Sequence, residues 1–162
     1  MKRLKIYLDT SVISHLDQQD APGKMADTKI FWEHVKNGEF DVYISPIVIS
    51  EVMDCKEPKR SILLAHLGEV SYTELSESDE VIELAQKYLN AGILPKKSFD
   101  DCQHIAYACV YSCDVLASWN FKHMVNIKTM TSVKGVNALS GYREMPIYTP
   151  TMLVYGGEED DT

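Results

Sequence analysis

The sequence predicts an α/β protein, a three-layer α/β/α sandwich around a central, mostly parallel sheet. Short apolar runs alternate with helical patterns along the whole chain, the signature of strand–helix–strand units. The first run, Leu4–Leu8, shows little clean apolar/polar alternation, as in a strand covered on both faces. The length, 162 residues, suits a single domain able to bury one sizeable core. That domain is expected over residues 1–150, followed by a tail over 151–162 that is acidic and disordered at its end.

The elements follow in order. Leu4–Leu8 reads as the first strand, ending in Asp9-Thr10-Ser11, with a short helix over residues 12–16. Residues 26–37 read as a helix closed by Gly38, and Phe40–Ile44 as the second strand. Ser45-Pro46 opens the next helix, with Ser as N-cap and Pro in the first turn. Residues 58–68 form another helix and 70–75 a third strand. Ser78 caps a helix closed by Gly92, and Ser98 caps one reaching about residue 112. Asp101, three residues after Ser98, gives that start a variant of the capping box. A fourth strand over 114–118, a loop over 119–126, a helix over 131–140 and a short strand over 145–148 complete the domain. In such sheets ligands bind beyond the carboxyl ends of the strands.

Composition narrows the function. The chain carries 16 basic and 24 acidic residues, a net charge of −8, with Glu158, Glu159, Asp160 and Asp161 crowded at the C-terminus. An acidic body disfavours tight, unaided binding of a phosphate backbone, which draws on Lys and Arg. It leaves room for an enzyme that uses a divalent cation, since the cation offsets local negative charge. No run approaches a membrane span and the N-terminus lacks a signal-peptide pattern, so a cytoplasmic protein is expected. Cys55, Cys102, Cys109 and Cys113 form no C-x-x-C pair. They read as small buried apolar residues of a reducing compartment.

Three acids stand out. Asp9 follows the first strand at its carboxyl end; its structural alternative is the N-cap of the next helix. Glu51 shares a stripe with Val48, Val52 and Cys55, at i, i+3, i+4 and i+7. A carboxylate there needs a cation, a lysine or a route to water, because burying it alone costs several kcal/mol, roughly. Asp101 opens a helix, where acids also complement the helix dipole. His104, one turn on, reads first as a packed, hydrogen-bonded histidine. As a set, Asp9, Glu51 and Asp101 can meet at one end of the sheet. Three hard oxygen ligands there suit Mg²⁺ or Mn²⁺. Phosphate-cradling Gly loops and a serine nucleophile elbow are absent.

The segments around these acids resemble PIN-domain ribonucleases, particularly VapC-type toxins of toxin–antitoxin pairs. The matching segments are residues 6–13 (IYLDTSVI), 45–52 (SPIVISEV), 101–108 (DCQHIAYA) and 114–123 (DVLASWNFKH), in the family's order. The resemblance covers about residues 1–150 and implies metal-dependent cleavage of RNA. It implies Asp9, Glu51 and Asp101 as metal ligands, with Thr10 or Ser11 supporting Asp9. Where the family often carries a fourth acid, this chain has Asn120, a catalytic candidate by position, and His123 follows. Asn can bind a metal-bound water or a phosphate oxygen but brings no charge. Lys122 could contact a phosphate, or could be a solvated surface lysine. The resemblance also implies a small antitoxin partner and a homodimer, without membrane association. The alternative is a catalytically weak or inactive PIN-like module that binds RNA or protein. A phosphatase with Asp9 as nucleophile is a weaker third reading, since Ser11 stands where its second acid would be.

Overall fold

The computed structural model describes residues 2–156. Five parallel strands form one sheet in the order β3-β2-β1-β4-β5. They are β1 (Leu4–Leu8), β2 (Phe40–Ile44), β3 (Thr73–Glu74), β4 (Val115–Ala117) and β5 (Ile147–Tyr148). The helices are α1 (Thr10–Ser14), α2 (Pro22–Lys36), α3 (Pro46–Met53), α4 (Lys59–Gly68), α5 (Asp79–Asn90), α6 (Phe99–Val110), α7 (Ile127–Ser140) and α8 (Pro150–Tyr155). The chain runs outward from β1 through β2 to β3, then returns to β4 and β5 on the other side of β1. Right-handed crossovers therefore place the helices before β3 and α5–α7 on opposite faces, while α8, after β5, packs back on α2. Accordingly α1 packs with α3 and α4, while α5 packs with α6 and α7. The α/β/α sandwich expected from the sequence is the fold.

The core lies where apolar strands meet both helical layers. Ile6, Tyr7 and Leu8 of β1 and Leu116 and Ala117 of β4 are fully buried. β1 pairs with β2 through Tyr7–Tyr43 and with β4 through Leu8–Ala117. That register brings the carboxyl ends of β1 and β4 side by side, at the reversal of strand order.

Several boundaries differ from the sequence reading. α2 begins a turn early, with Pro22 in its first turn, and α7 begins at Ile127, where Asn126 accepts a hydrogen bond from the Thr129 N–H. Ser45 and Ser78 cap as expected, accepting from the Ile47 and Val81 N–H groups. Ser98 does not. It ends a 3₁₀ turn, Lys96–Ser98, that runs into α6, so its backbone is not extended and its hydroxyl makes no cap. The capping box expected between Ser98 and Asp101 is therefore absent. Of residues 70–75 only Thr73–Glu74 pair with β2, because the chain leaving α4 first meets that strand at Tyr43. Residues 151–155, expected to start a tail, belong to α8. Thr149 accepts from the Met152 N–H, Pro150 opens the helix, and Thr151 Oγ1 donates to Asp27 on α2. The acidic end, Glu158 to Asp161, lies outside the described residues.

The cysteines are free; Cys102, Cys109 and Cys113 are buried and Cys55 is half-buried. Burial pushes the Cys102 thiol up to about 11 and the Cys113 thiol up to about 12. That suits apolar packing rather than reactivity.

Candidate metal centre at the carboxyl end of the sheet

Asp9 leaves β1 at the reversal point, 4% exposed. It occupies the N-cap position of α1, yet its side chain makes no cap hydrogen bond. Instead Oδ1 accepts from Ser11 Oγ at 2.5 Å and Oδ2 from Ser118 Oγ at 2.5 Å. Each hydroxyl also accepts a backbone N–H, Trp119 onto Ser11 and Asn120 onto Ser118, both at 2.9 Å. The two serines thus tie the loop after β4 to the Asp9 carboxylate. Burial holds the Asp9 carboxyl above its usual range, opposed by the charge of His104 and the two hydroxyls. A desolvated carboxylate with no directly bonded cation is what a metal ion would relieve.

Glu51 extends from α3. Its Oε1 accepts from Thr10 Oγ1 at 3.1 Å and meets His104 Nε2 at 2.5 Å. Partial burial raises its pKa, but the hydrogen bond and charge of His104, with the Thr10 hydroxyl, outweigh that and hold it low. Thr10 therefore supports Glu51, while Ser11 supports Asp9.

Asp101, in the first turn of α6, faces His123 Nδ1 from Oδ2 at 3.0 Å. Asn120 turns its Oδ1 back onto the His123 N–H at 3.0 Å, so the side chain shapes the loop that aims His123 at Asp101.

A residue expected to be packing, His104, bonds one of these acids directly and feels the charge of the other two. His104 is 2% exposed, and Glu51, Asp9 and Asp101, in that order, all act on its imidazole. Its Nδ1 meets Tyr7 OH at 2.6 Å, and Tyr7 OH meets Ser45 Oγ at 2.7 Å. With Glu51 ionised, Nε2 is the donor. A neutral ring then accepts from Tyr7, Tyr7 accepts from Ser45, and Ser45 accepts from the Ile47 N–H, leaving every group partnered. The sequence signal for His104 was its place one helical turn from Asp101. What no spacing could supply was Tyr7, a strand residue pointing at α6.

Burial opposes protonation of His104, but the three carboxylates outweigh it and raise its pKa. A raised folded-state pKa means the folded protein binds the proton more tightly than the unfolded chain. That stability is fully present below about pH 6.5, the ordinary histidine value. It is lost as pH rises through the higher folded-state value. In EDTA the urea midpoint of the protein is expected to fall between pH 6 and 8, below the range where the thiols contribute. The fall should flatten in His104→Gln. Equal slopes in the two proteins would contradict this account.

Among the described residues, no three His, Cys, Asp or Glu side chains stand close enough to close around one ion. A Mg²⁺-type site does not require that. Such ions keep waters and bind through one or two carboxylates plus substrate phosphates. The donor chemistry, hard carboxylate oxygens at the carboxyl end of the sheet, fits that mode.

Two solved structures share this architecture. The Mycobacterium tuberculosis VapC20 structure, described as a sarcin-ricin loop cleaving toxin, superposes with a TM-score of 0.56 at 15% identity. It covers 86% of this chain and 97% of its own. The chain has a VapC-type PIN-domain fold. The VapBC2 structure from Rickettsia felis, bound to a DNA fragment from its promoter, matches at TM-score 0.54 and 13% identity. It covers 90% of this chain and 98% of its own. No protein-family model and no curated protein matches the sequence. At these identities the likeness is one of fold, so the chemistry must be argued from the VapC-type fold's carboxyl end as this chain builds it.

Proposed function

We propose that the protein is a divalent-metal-dependent endoribonuclease that hydrolyses RNA phosphodiester bonds, acting in the cytoplasm as the toxin of a toxin–antitoxin pair. The observation that carries this reading is that Asp9, buried and tied to Ser11 and Ser118, stands at the strand-order reversal of a VapC-type fold, with Glu51 linked to the neighbouring Thr10 and Asp101 linked through His123 and Asn120 to the loop after β4. Asp9 and Asp101 would hold Mg²⁺ or Mn²⁺, with Glu51 completing the site directly or through water. When bound, the ion supplies Lewis-acid polarisation of the phosphodiester and activation of a water. The chain's own residues do the rest. Ser11 and Ser118 fix both Asp9 oxygens, and Thr10 and His104 hold Glu51 ionised. His123 orients Asp101, and Asn120 sets the loop that places His123.

Partners follow from the same reading: an RNA substrate, a small antitoxin protein and a second copy in a homodimer. Among the described residues no helix is long and apolar enough to cross a membrane. The second reading, a PIN-like module with little catalysis, draws on Asn120, whose amide oxygen is spent on the His123 N–H.

The test is cleavage of a mixed pool of labelled RNAs in Mn²⁺, with and without EDTA, by wild type and Asp101→Asn. EDTA-sensitive cleavage that the variant lacks is expected. No cleavage by folded, inhibitor-free wild type would overturn the enzyme reading in favour of the module. Mn²⁺ should also raise the melting temperature. An ion at a hundred times its dissociation constant stabilises the native state by about 2.7 kcal/mol. Asp101→Asn should lose most of that rise, and an equal rise in the variant would remove Asp101 from the site.

A further inference from the structure

The loop after β4 carries an aromatic group that the metal chemistry does not use. Phe121 is 47% exposed, a large apolar side chain left in solvent one residue beyond Asn120. Its ring meets Trp119 at 6.2 Å between centroids, tilted by 57°. Lys24 Nζ sits over both rings, 4.8 Å from the Phe121 centroid and 5.7 Å from that of Trp119, so a base would take the other face of Phe121. His15 flanks Trp119 at 5.6 Å.

This arrangement is built. Trp119 is buried and its indole N–H donates to Thr28 Oγ1 at 2.9 Å; Thr28 Oγ1 in turn donates to the Lys24 carbonyl at 2.6 Å. That chain fixes α2 against the loop and so sets Lys24 beside Phe121. The same Trp119 donates its backbone N–H to Ser11, which donates to Asp9. The exposed ring therefore stands on a backbone two hydrogen bonds from the buried carboxylate.

We infer that Phe121 is a stacking platform for an unpaired nucleobase of the substrate, with Lys24 receiving the adjoining phosphate. This inference rests on the ribonuclease reading and adds a specificity determinant to it. Two arguments carry it. An acidic chain draws little affinity from the phosphate backbone, whereas aromatic stacking binds any base and needs no surplus of positive charge. Lys24 reaches both rings and His15 flanks Trp119, the residue whose backbone is tied through Ser11 to Asp9. A duplex base is already stacked on its neighbours, so the platform selects single-stranded RNA or loop nucleotides.

The test uses the full chain and a short labelled single-stranded RNA of mixed sequence, with one abasic nucleotide moved along it. Binding is read by anisotropy in EDTA, and in Mn²⁺ in an Asp101→Asn background. Wild-type-like Phe121 should give weaker binding when the abasic nucleotide occupies one position. Phe121→Ala should bind the intact RNA about tenfold more weakly and lose that positional penalty, with its melting temperature unchanged. Phe121→Trp should restore both. Lys24→Gln should weaken binding and reduce the slope of log affinity against log salt by about one. Phe121→Ala binding like wild type, or RNA cleaved with no abasic position penalised, would overturn the platform while leaving the nuclease reading standing. RNA neither bound nor cleaved by the wild type would overturn both.

Discussion

Asp9→Asn is expected to lose metal-dependent RNA cleavage by about a thousandfold while the protein stays folded. A metal ion contributes several kcal/mol to stabilising charge in a phosphoryl transition state, and about 4 kcal/mol corresponds to that factor. Asn keeps the shape of Asp and still accepts a hydroxyl through its oxygen, so Ser11 and Ser118 need only reorient one proton. It removes the charge. The sign of the stability change separates this from a folding defect. Burial raises the Asp9 pKa, so the ionised form is a cost to the folded state. A neutral isostere relieves that cost, and Asp9→Asn should melt at or above wild type in EDTA. The wild type should gain stability from Mn²⁺ and the variant should not. Cleavage within threefold of wild type would remove Asp9 from the chemistry. A fall in EDTA melting temperature would mean that the carboxylate holds the loop rather than a cation.

The trade between function and stability at Asp9 also shows what the sequence could and could not reveal. The apolar runs of β1 and β4 are legible because their ends are covered on both faces, and burial leaves a compositional mark. β3 was overestimated because Val70 and Tyr72 have strand-like composition. Pairing requires a neighbour in register, and β2 offers one only at Tyr43 and Ile44. α8 was missed although Thr149-Pro150 repeats the Ser45-Pro46 start; an acidic stretch just beyond it made the whole segment resemble a tail. The acids were visible one by one, each with a structural alternative. Asp9 shows the difference, since it occupies a cap position without capping. The role of His104 is hard to read because its bonded partners, Tyr7 on β1 and Glu51 on α3, lie far from it in the chain. Asn120 was read as a substituted acid, whereas the fold uses its amide oxygen to orient His123, which faces Asp101.

Leu116→Ala is expected to destabilise the fold strongly. Leu116 is fully buried in β4, which pairs with β1 through Tyr7 and with β5 through Ile147. A central strand of a covered sheet has no free face onto which the void could collapse. Truncation there should cost about 3 kcal/mol. For a chain of this size that lowers the melting temperature by about 6–12 °C. The urea midpoint should fall with the m-value unchanged, since the surface exposed on unfolding is nearly the same. The carboxylates lie beyond the strand's end and are tied by Ser118, Trp119 and Ser11 rather than by Leu116. Well below its melting temperature, Leu116→Ala should therefore keep cleavage within a few-fold of wild type. Paired with Asp9→Asn, it makes a double dissociation: one variant folded and inactive, the other weakened and active. If Leu116→Ala loses cleavage while still folded, the strand end and the site are mechanically coupled. The two serine links would then be too loose to hold Asp9 in place alone.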